Sequence, residues 1–248
     1  KSVTLQGNLF EEFTAEGQGD EKKSILTSLK TINSDYQLID TEEKRRELYE
    51  ILITSKILAL DTETTSTDPI DAELVGMSFS IKENQAFYVP VPPNYDEAQK
   101  IVKEFQPIFE NEEILKVGQN MKYDLLVLDN YGVELRGPMF DTMIAHYVLQ
   151  PELRHNMDYL AEIYLNYETI RIEELIGAKG KNQGNMRDLP AEAVYQYACE
   201  DADVTLKLKN ILEKELEANG VSSLFYDIEM PLMPILAQME RNGVRIDT

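Results

Sequence analysis

Four acidic residues lie on three separate stretches of the chain and could together hold divalent metal ions. They are Asp61, Glu63, Asp124 and Asp201. Carboxylate oxygens are the ligands that hard cations such as Mg2+ prefer, and a pair of such cations can hydrolyse a phosphodiester. The residue types therefore indicate metal-assisted phosphodiester hydrolysis, provided that the fold brings the four side chains together.

Asp61 and Glu63 follow the apolar run ILAL, which predicts a β-strand. Alternate side chains of a strand point to the same face, so these two acids project together and can share one ion. In a chain with 45 acidic residues, acid-x-acid triples also arise by chance, mostly on solvated surfaces. The position favours function here, because charge at the end of an apolar strand is costly unless a cation compensates it.

Asp124 lies one helical turn after Asn120, in the segment NMKYDLLVL. We predict that Asn120 is the N-cap of this helix and that its side chain accepts a backbone N–H. An acid near a helix N-terminus is favoured by the helix dipole. A purely structural role for Asp124 therefore stays open at this point.

Tyr197 and Asp201 are four residues apart in a predicted helix, so they share one face, whereas Asp203 points elsewhere. A phenol beside a metal-binding carboxylate can orient an attacking water. The alternative is a core tyrosine with a surface acid. Cys199, on the same helix, is interpreted as a small packing residue.

Composition limits the other possibilities. The chain has 248 residues, a single cysteine and two histidines, which excludes an internal disulfide and a thiolate zinc cage, so oxygen must hold any metal. No apolar run has the length of a membrane span, and the N-terminal residues lack the apolar core of a signal peptide. We therefore expect a cytoplasmic protein that does not bind a membrane.

The net charge of −21 argues against a nucleic-acid partner, because clustered Lys and Arg normally supply phosphate affinity. Two considerations weaken this objection: bound cations would invert the sign of a carboxylate site, and a domain of a larger protein can borrow basic surface from its neighbours. We therefore expect the domain by itself to have weak affinity for DNA. One Gly-rich stretch, GAKGKNQGN at 177–185, carries Lys179 and Lys181 without any acid. We interpret it as a mobile loop that guides a DNA strand, with an ordinary solvated loop as the alternative.

Hydrophobic periodicity predicts an α/β fold, a mixed sheet flanked by helices with a mainly helical C-terminal half. The predicted strands are 36–40, 56–63, 73–81, 85–91 and 114–118. The predicted helices are 41–54, 96–109, 120–130, 141–149, 156–165, 172–176, 190–218 and 221–240. We divide the chain into an interdomain linker at 1–35, partly disordered, a domain at 36–240 and the start of a connection to a further domain at 241–248.

Eight blocks of sequence in order resemble the 3′ to 5′ exonuclease domain of bacterial DNA polymerase I, from Tyr36 to the C-terminus. These blocks are LALDTETTS, LVGMSFSI, KVGQNMKYDLLVL, GVELRGPMFDTMIAHYVL, NMDYLAEIYL, AKGKNQ, YACEDADVTLKL and IEMPLMPILAQMERNGVRID. The resemblance is specific because the blocks keep the order and spacing of that family. It implies a ribonuclease H-like fold with a mixed five-stranded sheet.

The resemblance also implies roles for individual residues. Asp61, Glu63, Asp124 and Asp201 would bind two Mg2+ or Mn2+ ions, and Tyr197 would position the nucleophilic water. A related subgroup has a histidine base where this chain has Gln196. Positions that contact the terminal nucleotides or phosphates in the family are Thr64, Gln119, Asn120, Tyr123 and Arg154. Where the family can present an apolar group to the bases, this chain has Thr67 and Met186.

The implied activity is hydrolysis of the 3′-terminal phosphodiester of single-stranded or frayed DNA, with release of deoxynucleoside 5′-monophosphates, which is proofreading. The implied partners are a single-stranded DNA 3′ end, a covalently linked polymerase domain and an upstream 5′ nuclease domain, in a monomeric protein. Two alternatives stay open. The domain could be a catalytically idle scaffold of the polymerase, or an RNA-trimming exonuclease of the same superfamily.

Overall fold

A mixed six-stranded sheet lies at the centre of the structure, a computed structural model that describes residues 26–245. Its spatial order is β2-β5-β4-β3-β6-β7. The strands are β2 (Asp35–Leu38), β3 (Ile57–Thr64), β4 (Leu74–Lys82), β5 (Gln85–Pro90), β6 (Leu115–Gly118) and β7 (Met139–Asp141). The pairs β3–β4 and β4–β5 are antiparallel, as the turn residues between them predict, and the other three pairs are parallel.

The predicted fold class is confirmed, and the sheet has one strand more than the family resemblance implies. The additional strand is β7, which pairs with β6 at the edge of the sheet. Three residues cannot display an alternating pattern, so sequence periodicity does not reveal such a strand. A second, two-stranded parallel sheet pairs β1 (Thr27–Ser28) with β8 (Tyr167–Glu168). The first 25 residues of the predicted linker lie outside the described residues.

Helices cover the sheet and form the C-terminal half. They are α1 (Glu42–Leu52), α2 (Tyr95–Glu104), α3 (Gln106–Phe109), α4 (Met121–Asp129), α5 (Thr142–Leu149), α6 (Met157–Leu165), α7 (Ile172–Ile176), α8 (Ala191–Ala218), α9 (Ser222–Leu224) and α10 (Met230–Asn242). Each predicted helix is present. The one predicted at 96–109 is two helices, and a π-helical turn at Phe225–Glu229 joins α9 to α10 before Pro231.

The 28-residue helix α8 packs on β3, β4 and β5 and spans the sheet. No glycine or proline interrupts it, and Gly220, with a φ of 69°, ends it in the left-handed region. In β4, Gly76 leaves room for the ring of Tyr88 on β5. A Cβ at position 76 would clash with that ring. Between residues 26 and 245, no helix is both long and apolar enough to cross a membrane.

Candidate active site

The central strand β3 presents two acids near its C-terminal end, and α8 brings a third to them. Asp61, Glu63 and Asp201 each place a carboxylate oxygen within 4.8 Å of the others. The strand alternation therefore has the predicted effect, since Asp61 and Glu63 face the same way and meet α8. This arrangement puts three oxygen ligands for one cation at a single point.

The fourth acid, Asp124, reaches β3 from α4 and is only 2% exposed. Thr62 donates a hydrogen bond of 2.6 Å from its hydroxyl to Oδ1 of Asp124. Asp124 lies outside the 4.8 Å group, yet it is near enough to Asp61 for their charges to repel. The structure thus brings all four acids to the same end of β3, three tightly and the fourth beside them.

The four carboxyl groups carry unfavourable electrostatics in the absence of a cation. Burial raises the pKa of Asp61 to about 7. Burial, followed by repulsion from neighbouring carboxylates, raises the pKa values of Glu63, Asp124 and Asp201 well above their ordinary range. Among the described residues, Oε1 of buried Glu63 has no hydrogen-bond partner. A cation would satisfy that oxygen and offset the repulsion, so the donor set fits a hard divalent ion.

Tyr197 lies one turn before Asp201 on α8 and is half-buried. Burial and then the negative charges of Asp201, Glu63 and Asp61 raise the pKa of the Tyr197 phenol far above neutrality. The hydroxyl therefore stays protonated beside the carboxylates. The predicted pairing of Tyr197 with Asp201 is present in the geometry, whereas Asp203 points to the other side of α8 and accepts a 2.7 Å hydrogen bond from Tyr36.

Asp61, Glu63 and Asp124 line an open cleft of about 600 Å³, whereas Asp201 and Tyr197 are not among the residues that line it. One wall continues from β3, a second comes from the start of α4, and a third from α7 and the segment after it. Residues named from the sequence that line this cleft are Asp61, Glu63, Thr64, Thr67, Gln119, Asn120, Tyr123, Asp124, Lys179 and Met186. Most of the candidate substrate contacts therefore lie on one surface with three of the four acids.

The predicted cap role of Asn120 is wrong. Asn120 occupies the position before α4, but its φ of 65° and ψ of 46° are left-handed, and its side chain caps nothing. Asn is among the few residues that adopt this conformation readily. Instead, Asp141 accepts the N–H groups of Asn120 (3.3 Å) and Met121 (2.7 Å), which leaves the Asn120 amide in the cleft wall.

Three other candidate contacts already have protein partners. The hydroxyls of Thr64 and Tyr123 hydrogen-bond to each other, and Tyr123 also donates to the Ser66 carbonyl. Gln119 donates from Nε2 to the carbonyl of His155 at 2.7 Å. These bonds hold the three side chains in place in the cleft wall.

The remaining candidates differ in their surroundings. Arg154 is exposed between α5 and α6 and does not line the cleft, although its neighbour His155 is tied to Gln119. Met186 is buried in a small cluster with Tyr88 and Val194, and it also lines the cleft. Thr67 is exposed at the cleft edge.

The Gly-rich loop at 177–185 begins directly after α7 and is tied at both ends. Gly184 donates from its N–H to the Ile176 carbonyl at 2.7 Å, which closes the loop on itself. Asn185 donates from Nδ2 to the carbonyl of Thr65 at 2.9 Å, which attaches the loop to the segment after β3. Lys179 lines the cleft, whereas Lys181 is exposed away from it. The mobility and guiding role predicted for the loop stay predictions.

Sequence reasoning misses two residues that shape the site. Thr62 gives no signal because a threonine inside a strand is ordinary, and its bond to Asp124 spans 62 positions. Asp141 stands at the predicted start of a helix, where an N-cap is common, but its second role at α4 depends on β7 lying beside β6. Only the cap of its own helix could have been found from the sequence.

A family model described as 3′-5′ exonuclease matches residues 36–217. The solved structure of Escherichia coli RNase D, an exoribonuclease involved in structured RNA processing, superposes with a TM-score of 0.64 at 23% identity. That likeness covers 83% of this chain and 51% of RNase D, and at this identity it establishes the fold alone. The class of protein is therefore a 3′–5′ exonuclease with a ribonuclease H-like fold.

Curated relatives narrow the class further. DNA polymerase I of Pseudomonas aeruginosa is 43% identical over 203 residues, which are 78% of this chain and 22% of that protein. DNA polymerase I of Borreliella burgdorferi is 35% identical over 225 residues, which are 90% of this chain and 24% of that protein. The chain belongs to the family of 3′–5′ exonuclease domains found in bacterial DNA polymerases I, and it spans about a quarter of the length of these relatives.

Proposed function

We propose that this domain removes nucleotides from the 3′ end of single-stranded or frayed DNA with two divalent cations. The observation that carries the proposal is the convergence of Asp61, Glu63 and Asp201 within 4.8 Å, with Asp124 beside them. Three of these acids, Asp61, Glu63 and Asp124, line an open cleft. The products would be deoxynucleoside 5′-monophosphates. The purpose would be proofreading, because a mismatched end frays more easily than a paired one.

The four carboxylates would hold Mg2+ or Mn2+. Buried acids with raised pKa values compete poorly for a cation when protonated, but near pH 7 a divalent ion can displace the proton from such a cluster. The unpartnered Oε1 of Glu63 supports this assignment. When bound, a pair of such ions supplies acidification of a water and stabilisation of the charge on the leaving oxygen.

The chain's own groups would orient the reaction. Tyr197 keeps its proton at neutral pH, so its hydroxyl can hold a water next to Asp201. Glu63 would accept a hydrogen bond from the same water. Asn120, Tyr123 and Thr64 would hold the terminal nucleotide, and Met186 would pack against its base.

Phosphate contacts would make cleavage largely independent of sequence. Among the described residues that line the cleft, Lys179 is the one Lys or Arg, and the chain has a net charge of −21, so weak affinity for DNA is expected. We propose that a linked polymerase domain, and an upstream 5′ nuclease domain, supply the rest of the DNA-binding surface. This rests on the DNA polymerase I relatives, which are about four times as long as the matched region.

The test is to incubate the purified domain with 5′-labelled single-stranded DNA and RNA oligonucleotides of one sequence, with Mg2+ or with EDTA. Stepwise shortening of DNA from the 3′ end that requires Mg2+ is the expected result. Preferential shortening of RNA would favour the RNA-trimming alternative. If neither oligonucleotide is shortened and calorimetry detects no Mn2+ binding, the result would favour the alternative of a catalytically idle scaffold.

A further inference from the structure

Asp141 is a buried carboxylate at the edge of the sheet that accepts four backbone N–H groups from two helices. Two bonds come from its own helix α5, from Met143 (2.8 Å) and Ile144 (3.1 Å). The other two come from Asn120 (3.3 Å) and Met121 (2.7 Å) at the start of α4. Side-chain caps normally serve a single helix, so the second pair is unusual.

Sheet register explains how one residue reaches both helices. Strands β6 and β7 are parallel, and Gly118 at the end of β6 is the partner of Asp141 at the end of β7. Both chains therefore leave the sheet side by side, and the positive ends of α4 and α5 converge on one carboxylate. Asp141 is 1% exposed, so water does not compete for these N–H groups.

Thr142 adds a second hold on the same turn. Its hydroxyl donates to the Gln119 side-chain oxygen and lies 3.1 Å from the Gly118 carbonyl. Together, Asp141 and Thr142 bind the turn from Gly118 to Met121 through backbone and side-chain groups. A turn held in this way has little freedom to rotate.

Two proposed site residues depend on that turn. Asn120 keeps its left-handed backbone, with a φ of 65°, while its N–H is bound by Asp141, and this conformation directs its side chain away from the helix end and into the cleft wall. Asp124 lies in the first turn of α4, so the start of that helix sets where its carboxylate meets Thr62 and Asp61.

We propose that Asp141 and Thr142 are positioning residues for the exonuclease reaction, which place Asp124 against the metal-binding strand and Asn120 against the substrate. Neither residue lines the cleft, and both act through the turn between β6 and α4. The inference rests on the proposed function for its effect on catalysis. Its structural part, the placement of the turn, stands without any activity.

The variant Asp141→Asn separates the two capping roles. The remaining carbonyl oxygen of Asn can still cap α5, for which Asn is as good a residue as Asp. Its NH2 group would then face the N–H of Met121, donor against donor, so α4 loses its shorter bond to residue 141. The longer bond from the N–H of Asn120 goes to the same oxygen that caps α5, and it can stay. A residue that served only stability through its own helix would tolerate this exchange.

The expected result for Asp141→Asn is a fall of about 10- to 100-fold in kcat and in Mn2+ affinity, the usual range for groups that orient metal ligands. The amide resonances of Asn120 to Asp124 should shift in the metal-free variant. Thr142→Val, which keeps the shape of the side chain, should lower kcat in the same direction by a smaller factor. Thr41→Ala is the matched control, because it removes the N-cap of α1, remote from the site.

Wild-type kcat and Mn2+ affinity in Asp141→Asn, or unshifted amides of Asn120 to Asp124, would overturn the proposal. An equal fall in the Thr41→Ala control would also overturn it, since the effect would then follow stability alone. If Asp141→Asn does not fold, Thr142→Val with wild-type kcat and an unshifted turn would overturn the proposal in its place. An inactive wild-type domain would refute the proposed function, while the amide shifts would still decide the positioning role.

Discussion

Thr62 donates a 2.6 Å hydrogen bond from its hydroxyl to Oδ1 of Asp124, and both residues are buried. Thr62 alternates with Asp61 and Glu63 along β3, so its side chain points to the other face of the strand. Helix α4 thus reaches β3 on the face opposite to α8. This explains why Asp124 stands beside the group formed by Asp61, Glu63 and Asp201 and not within it.

Replacement of one carboxylate should abolish hydrolysis without harming the fold. Asp124→Asn keeps the oxygen that Thr62 needs, and Asp201→Asn likewise keeps its volume. We expect kcat to fall at least about 100-fold, the loss typical when a group that stabilises transition-state charge is removed. In EDTA, the free energy of unfolding should be unchanged or higher, because the substitution removes one of several buried carboxylates that repel each other. Oligonucleotide assays and urea titrations measure both effects.

Asp129→Asn is the matched control on the same helix, since Asp129 is exposed and pairs with Arg241 at 2.7 Å. Its activity should equal that of the wild type. Degradation of single-stranded DNA at the normal rate by Asp124→Asn or Asp201→Asn, in Mg2+, would contradict the assignment of the acids.

Removal of the Tyr197 hydroxyl should lower the rate and leave metal binding intact. Tyr197→Phe keeps the ring that packs against the cluster containing Met186 and Val194 but loses the group that would orient a water. We expect kcat to fall about 100-fold, with Mn2+ affinity within a factor of about two, because general acid–base contributions of this kind begin at roughly that size. Single-turnover kinetics and calorimetry separate the two quantities.

Tyr195→Phe tests whether any tyrosine on α8 would have the same effect. Tyr195 lies two residues earlier, and within residues 26–245 its hydroxyl has one hydrogen bond, which it accepts from Gln196 at 3.2 Å. Activity close to that of the wild type is expected. If Tyr197→Phe were equally active, the water-orienting role would have to be given up.

The stability of the metal-free domain should depend on pH through the acid cluster. The pKa of Asp61 is raised from 3.8 to about 7 in the folded state, so the unfolded chain ionises first as pH rises. This contribution to stability is fully present below pH 3.8 and is lost as pH rises from there to about 7. Urea unfolding in EDTA at several pH values measures it as the difference between wild type and Asp61→Asn.

Mg2+ should reverse that dependence, because the metal binds only deprotonated carboxylates and stabilises the folded state more as pH rises. His146 acts in the opposite direction to the acids, since burial lowers its pKa to about 4 and its contribution is lost as pH falls from 6.5. The comparison with Asp61→Asn cancels that effect. If the free energy of unfolding in EDTA depended on pH in the same way for the wild type and for Asp61→Asn, the pKa of Asp61 would not be raised in the folded state.

The loop at 177–185 should contribute to DNA affinity through charge. The double variant Lys179→Ala/Lys181→Ala removes two positive charges from the loop of an acidic protein, one of them in the cleft wall. If both lysines contact phosphates, the plot of log affinity against log salt concentration should be less steep for the variant than for the wild type, by about 1.4 in slope. Each phosphate contact on a single strand contributes roughly 0.7 to that slope. Fluorescence anisotropy with a labelled oligonucleotide in Ca2+ would report it.

Lys100→Ala/Lys103→Ala changes the net charge equally on exposed positions of α2, outside the cleft. Its salt slope should match the wild type. Equal slopes for both double variants would mean that the loop is an ordinary solvated loop.

Local sequence patterns predict the individual helices and strands, but they do not predict the contacts between them. The alternation that ends in Asp61 and Glu63, and the helical spacing of Tyr197 and Asp201, are properties of neighbouring residues, so they are legible in the sequence. The edge strand β7 is too short to show a pattern, and its pairing with β6 is a long-range contact. The prediction for the cap of α4 is wrong for the same reason, since Asp141 arrives there from 20 positions away.

By itself, the sequence determined the α/β class, the helices, five of the six strands of the central sheet, and the family to which eight ordered blocks belong. It also singled out the acids, because hard cations select carboxylates whatever the fold. Only the tertiary structure decided that three acids converge within 4.8 Å, that Thr62 holds Asp124, and that Asp141 and not Asn120 caps α4. Such contacts join segments far apart in the chain, and their geometry depends on sheet register and helix packing that no local pattern encodes.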